Sequence, residues 1–258
     1  MATWKTPSGD AHNLYLDILK QNHVLIAGAS GSGKSVLVNG LITTLLYRFP
    51  QDMPGGAQMI LIDPKRVELS IYAELPHVLR HATEPADMIE ALNYAVELTE
   101  RRYKAMQADG LRLYSGSDVY VIIEELADLM TTQRRTVQPL LQRLCQIARA
   151  AKVHVITVTQ CPIVKVIPTE IKVNFDAIIA LRTRSAQDSR NIIGESGAEL
   201  LPKYGRCLYY CPDRIGVQNV SVPYVTELEQ QRLVNWWTAQ RPTAAAKHGF
   251  LSLFRRRA

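Results

Sequence analysis

Residues 28–35 read Gly-Ala-Ser-Gly-Ser-Gly-Lys-Ser and satisfy every fixed position of G-x-x-x-x-G-K-[ST]. The motif works in one setting, a strand that ends in a glycine-rich turn and a helix that starts on the turn's last residues. The apolar run His23–Ala27 precedes the loop here. Residues 35–49 follow it with Val38, Leu41, Ile42, Leu45, Leu46 and Phe49 at helix spacing. Glycines let successive N–H groups turn toward one point, and the helix N-terminus adds its positive end, so the segment can cradle phosphate. Gly28, Ala29, Ser30, Gly31, Ser32, Gly33, Lys34, Ser35 and Val36 are the candidate nucleotide-binding residues. Lys34 is placed to reach the β- and γ-phosphates and the Ser35 hydroxyl to ligate Mg²⁺.

The rest of the chain continues the alternation. Val- and Ile-rich runs at 58–63, 119–124, Val153–Thr159 and 177–181 read as strands, with 207–210 and 217–222 as edge strands. Pro85–Ala108 reads as a long helix with Ile89, Leu92, Val96, Tyr103 and Met106 on one stripe. Residues 137–151 read as another, with Leu140, Leu144, Ile147, Ala148 and Ala151 on one face. Residues 53–57 and 110–117 read as surface loops. Continuous apolar strands between amphipathic helices predict a parallel sheet covered on both faces, an α/β fold of three layers. One domain is expected over residues 1–241, and residues 242–258 leave the pattern as a basic tail. A chain of 258 residues, 47% apolar, can bury such a core without staples.

A nucleotide hydrolase needs acid at the end of a neighbouring strand. Val121-Ile122-Ile123-Glu124-Glu125 supplies two carboxylates after four apolar and β-prone positions beginning at Tyr120. Glu124 is the candidate for the Mg²⁺ shell, and Glu125 the candidate general base for the attacking water. Gln160 ends the Val153–Thr159 run. It is a candidate to sense the γ-phosphate, with a polar strand cap as the alternative.

Net charge is +6, with Lys247, Arg255, Arg256 and Arg257 at the end of the chain, so the body is nearly balanced. Bulk charge alone therefore says little about nucleic acid. Cys145, Cys161, Cys207 and Cys211 lack paired zinc spacing and read as reduced thiols. No run approaches the ~20 apolar residues that cross a bilayer, and no signal peptide is seen, so a cytoplasmic location is expected. Residues 249–257 (GFLSLFRRR) could associate with anionic lipid, DNA or a partner, or remain a disordered basic end.

Taken in order, several segments resemble the motor domain of the FtsK/SpoIIIE family of DNA translocases. They are 23–39 (HVLIAGASGSGKSVLVN), 62–79 (IDPKRVELSIYAELPHVL), 100–106 (ERRYKAM) and 124–130 (EELADLM). Residues 147–154 (IARAAKVH), 159–162 (TQCP), 188–190 (DSR) and 197–201 (GAELL) follow. The resemblance implies a three-layer P-loop NTPase of RecA-like type with a mostly parallel central sheet. It implies ATP and Mg²⁺ as cofactors, and a homo-oligomeric, usually hexameric, ring that threads double-stranded DNA. Arg149 matches the family's arginine finger, which a neighbour inserts against the γ-phosphate. Gln142, Gln146 and Arg149 also share a polar helix face. Lys172 and Arg190 match family positions facing DNA, and Lys165, Arg182 and Arg184 are basic neighbours. Lys165, Lys172, Arg184 and Arg190 are the DNA-binding candidates.

The sequence departs from the family at Glu124 (usually Asp), Cys161 (usually Arg) and Ala186 (often Lys). No anchor helices and no winged-helix module are seen. The expectation is a compact FtsK/HerA-type DNA translocase of a phage, plasmid or conjugative element, working with a separately encoded membrane anchor or DNA-processing partner. Two alternatives stay open: a nucleotide-gated DNA-binding or assembly module with weak hydrolysis, and a secretion-type motor acting on protein.

Overall fold

A computed structural model describes residues 2–5, 11–14, 21–48, 56–160, 167–213, 215–222 and 224–239. The strands are β1 (Ala2–Lys5), β2 (Ala11–Leu14), β3 (His23–Ala27), β4 (Ala57–Ile62), β5 (Val78–Ala82), β6 (Asp118–Ile123), β7 (Val153–Thr159), β8 (Ala177–Ala180), β9 (Arg206–Tyr210) and β10 (Gln218–Ser221). The helices are α1 (Lys34–Arg48), α2 (Pro85–Ala108), α3 (Leu126–Thr132), α4 (Arg134–Ile147), α5 (Thr169–Lys172), α6 (Ala186–Ile193) and α7 (Glu227–Ala239).

All ten strands form one sheet, in the order β2-β1-β10-β9-β8-β3-β7-β6-β4-β5. Strands β8, β3, β7, β6, β4 and β5 run parallel, and β9, β10, β1 and β2 add on by antiparallel pairing. Alternate side chains of the parallel strands enter two separate cores, which is what a sheet covered on both faces requires. Leu25, Ile60, Val121 and Val155 pack with α2, α4 and α6 on one side. Val24, Ile26, Leu61, Ile122 and Ile156 pack with α1 and α7 on the other. Each such side chain, fully buried, stabilises the fold by roughly 1.5–3 kcal/mol relative to exposure. The Trp237 indole N–H donates to the Leu46 carbonyl at 3.2 Å and ties α7 to α1. Among the described residues no helix is long and apolar enough to cross a membrane.

Several expectations are corrected. Strands β9 and β10 are interior, because β1 and β2 pair beyond them and take that edge. Ala57 is not in a loop but is the buried first residue of β4. The buried stripe of α2 is Met88, Ala91, Leu92, Ala95, Thr99, Arg102 and Met106. Ile89, Val96 and Tyr103 flank that stripe. Helix α4 starts earlier than expected and ends at Ile147, with Leu140 and Ile147 only half-buried. A turn through Lys152, at φ 53°, then feeds β7. The expected tail, residues 242–258, lies outside the described residues.

Candidate active site

The parallel strands β3, β7 and β8 end side by side, Ala27 opposite both Thr159 and Ala180. The loop after β3 is stitched to both neighbours: Gly28 N–H donates to the Thr159 carbonyl at 3.3 Å and Ala29 N–H to the Arg182 carbonyl at 2.8 Å. Ligands of open α/β sheets bind at this end of the strands. Gly28 has no room for a side chain. A Cβ there would lie 2.8 Å from Ser32 Oγ and 3.0 Å from Leu181 Cβ. Gly33, at φ 95°, takes a backbone shape that L side chains rarely adopt, just before α1 begins at Lys34.

Lys34 is buried, and its ammonium donates to the Gly28 and Ala29 carbonyls at 2.9 and 2.8 Å, so it sits over the loop. Burial pulls its pKa down, against the opposing pull of Glu125 and Glu124. Ser35 is half-buried in the first turn of α1, beside Lys34. Ser32 Oγ is buried and makes no hydrogen bond. Ser30 and Gly31 stand exposed at the loop crest. Val36 joins Gly33, Leu181, Tyr204, Gly205 and Tyr224 around an almost wholly apolar cleft of roughly 380 Å³ beside the loop.

The acids come from β6. Glu124 continues its ladder, donating its N–H to the Ile62 carbonyl at 2.9 Å. Its carboxyl is buried, Oε2 makes no hydrogen bond, and the pKa is pushed up to about 7 by burial and by Glu68, Asp63 and Glu125. Glu125 then takes a left-handed conformation, φ 58°. For a residue other than glycine that costs on the order of 1 kcal/mol. The bend sends its carboxylate across to β7. Oε1 accepts from the Thr159 hydroxyl at 3.2 Å and the Gln160 N–H at 3.1 Å, and Oε2 pairs with Lys65 at 3.0 Å. Gln160 therefore meets Glu125 through its backbone, while its side chain is exposed.

Three residues at this site were not among the sequence candidates: Lys65, Thr159 and Glu68. Asp63 shapes the loop that carries two of them. Its carboxylate accepts from the N–H groups of Lys65, Arg66 and Leu69 at 3.0–3.1 Å. The signal available was the Ile-Asp-Pro-Lys segment itself, which stands at the end of the strand next to β6.

The other candidates lie elsewhere. Arg149 is exposed, and it precedes β7 at the opposite end of the sheet from the phosphate loop. Seven strand residues at ~3.3 Å each separate the two ends by about 20 Å. Near Arg149, His23 is buried with its Nδ1 accepting from Val155 N–H. Desolvation, with His154 next, lowers its pKa to about 4. Arg184 and Arg190 are exposed, on the loop after β8 and on α6. Lys172 is half-buried, and its ammonium donates to the Asn191 carbonyl at 2.8 Å. Lys165 and Cys161 lie outside the described residues.

A glycine-rich loop between a central parallel strand and a helix, a lysine held over it, and carboxylates on the next-but-one strand define a P-loop ATPase domain. The sequence profile of the FtsK/SpoIIIE family matches residues 6–120. The "DNA translocase FtsK" of Mesorhizobium japonicum is 36% identical over 91% of this chain and 31% of its own length. "DNA translocase FtsK 1" of Neisseria meningitidis is 35% identical over 88% of this chain and 32% of its own. The conjugation coupling protein TcpA of pCW3, solved with ATPγS, superposes with a TM-score of 0.76 at 22% identity, covering 93% of this chain and 70% of that one. Residues 6–120 of this chain therefore match the FtsK/SpoIIIE family, and the chain spans about a third of the length of the curated relatives it matches.

Proposed function

We propose that this chain is an ATP-hydrolysing motor domain that acts on double-stranded DNA as a ring of identical subunits. The observation that carries the reading is Glu125, bent out of its strand so that its carboxylate stands at the strand ends beside the phosphate loop. The apolar cleft between Val36, Leu181, Tyr204 and Tyr224 suits an adenine face, and Lys34 the β- and γ-phosphates.

The residues present fit Mg²⁺. Glu124 Oε2 is a buried hard oxygen donor with no hydrogen bond of its own, and the hydroxyl-bearing Ser35 follows Lys34 in the first turn of α1. Glu124 and Ser35 would hold the ion, which would supply positive charge to offset the charge on the phosphates. Glu125 accepts a proton from water as the water oxygen bonds to the γ-phosphorus. The bond from that phosphorus to the β–γ bridging oxygen breaks, and ADP leaves. Thr159 and the Gln160 N–H hold the carboxylate in place throughout.

Arg149 is too far to serve its own phosphate loop, so the arginine for each site is supplied by the next subunit. Among the described DNA-binding candidates, Arg184 and Arg190 are exposed and available for a DNA backbone. Lys172, with its ammonium committed to Asn191, serves the α5–α6 packing first. The substitutions at positions 161 and 186 remove two further charges relative to the family pattern. Nucleotide binding and hydrolysis measured on two variants test the site. Lys34→Ala is expected to lose binding. Glu125→Gln is expected to bind ATP normally and to hydrolyse it roughly 10²–10⁴-fold more slowly. Normal hydrolysis by Glu125→Gln would remove the general base from this reading.

A further inference from the structure

The carboxylate on which the proposed hydrolysis depends is already engaged. A carboxylate offers about four lone-pair directions. Glu125 gives one to the Thr159 hydroxyl, one to the Gln160 N–H and one to Lys65. These three partners differ in kind. Thr159 is buried and Gln160 contributes a backbone group at the end of β7, so both are fixed parts of the sheet. Lys65 stands on the loop after β4, and its side chain is 41% exposed against 6% for Glu125, so the ammonium covers the outer side of the carboxylate.

The loop that carries Lys65 is rigid where it needs to be. Asp63 grips the N–H groups of Lys65, Arg66 and Leu69, and Arg66 is held left-handed at φ 57°. The backbone of Lys65 is thereby fixed, while four methylenes leave its ammonium free to swing between Glu125 and solvent.

We infer that Lys65 is a positioning residue that latches Glu125: the ion pair occupies Oε2, holds basal hydrolysis down, and releases the carboxylate when phosphate oxygens draw the ammonium away. The inference rests on Glu125 being the general base. Two sources of phosphate fit this chemistry, the γ-phosphate of ATP and the backbone of duplex DNA, and they are separable. Release by the nucleotide alone leaves the fold-stimulation by duplex the same with and without Lys65, whereas release by duplex makes the latch part of that stimulation.

The test is steady-state ATP hydrolysis by the full chain carrying Lys65→Met or Lys65→Arg, with and without long duplex DNA. Lys65→Met is expected to raise the DNA-free kcat about threefold to fivefold, the scale of a part-exposed ion pair, with KM for ATP unchanged. Lys65→Arg is expected to keep the wild-type basal rate. A smaller duplex stimulation in Lys65→Met assigns the release to DNA, and an unchanged ratio assigns it to the nucleotide. Lys65→Met/Glu125→Gln is expected to be inactive, because the gain runs through Glu125. An unchanged or lowered kcat in Lys65→Met, beside an inactive Glu125→Gln, overturns the latch alone. A Glu125→Gln enzyme that turns over normally overturns the base on which the latch acts.

Discussion

At Gly28 the demand of the site falls on a single hydrogen atom. A methyl group there meets Ser32 Oγ at 2.8 Å and Leu181 Cβ at 3.0 Å, so the phosphate loop must move away from β8. Gly28→Ala is expected to cost about 1–3 kcal/mol of stability, seen as a lower melting temperature, and to weaken ATP binding at least tenfold by titration calorimetry. Binding at wild-type strength would show that the loop is free to adjust. Single residues of this kind were legible in the sequence, because the motif prescribes glycine and lysine at fixed offsets. Lys65 and Thr159 were not, because their contacts with Glu125 come from separations of 60 and 34 positions and depend on a left-handed bend at Glu125.

On the scale of elements, the strand ends carry opposed titrations. Glu124, at the end of β6, has its pKa raised from 4.5 to about 7. The folded chain therefore holds that proton more tightly, and stability falls as pH rises from about 4.5 to 7. His23, at the start of β3, has its pKa lowered from 6.5 to about 4. The unfolded chain takes that proton first, so stability falls as pH drops from about 6.5 to 4. The two slopes offset each other where they overlap. Glu124→Gln removes one of them. Its melting temperature is expected to exceed the wild type at pH 7.5 and to lose that advantage by pH 4.5 in a melting series without Mg²⁺. An advantage that does not vary with pH would contradict the sign assigned to Glu124.

Elements were read well where periodicity was clean. The bounds of β3, β7 and α2 coincide with the expectation, and the continuous apolar runs of β4 and β6 gave the parallel core. Strand β5 was not foreseen, since Val-Leu-Arg-His-Ala at a sheet edge carries two polar residues and is half-exposed. Helix α3 was hidden in the segment read only as an acidic motif. The interior place of β9 and β10 depended on β1 and β2, which no apolar run announces.

For the whole molecule, about 20 Å of sheet separates Arg149 from the phosphate loop, so the proposed finger role of Arg149 needs a second subunit. Arg149→Ala is expected to bind ATP and to lose roughly 10³–10⁵-fold in hydrolysis. Mixing Arg149→Ala with Lys34→Ala, each inactive alone, is expected to restore part of the rate. A subunit with intact Lys34 then receives Arg149 from its neighbour. Mixtures that stay inactive at concentrations where subunits exchange would place the finger elsewhere.

The proposed coupling of ATP hydrolysis to duplex DNA is read by the steady-state rate across a salt series, with and without long duplex and with Glu125→Gln as the blank. A several-fold rise with duplex that fades as salt increases is expected, because the proposed contacts are to phosphate. A rate that duplex leaves unchanged at every salt concentration would contradict it.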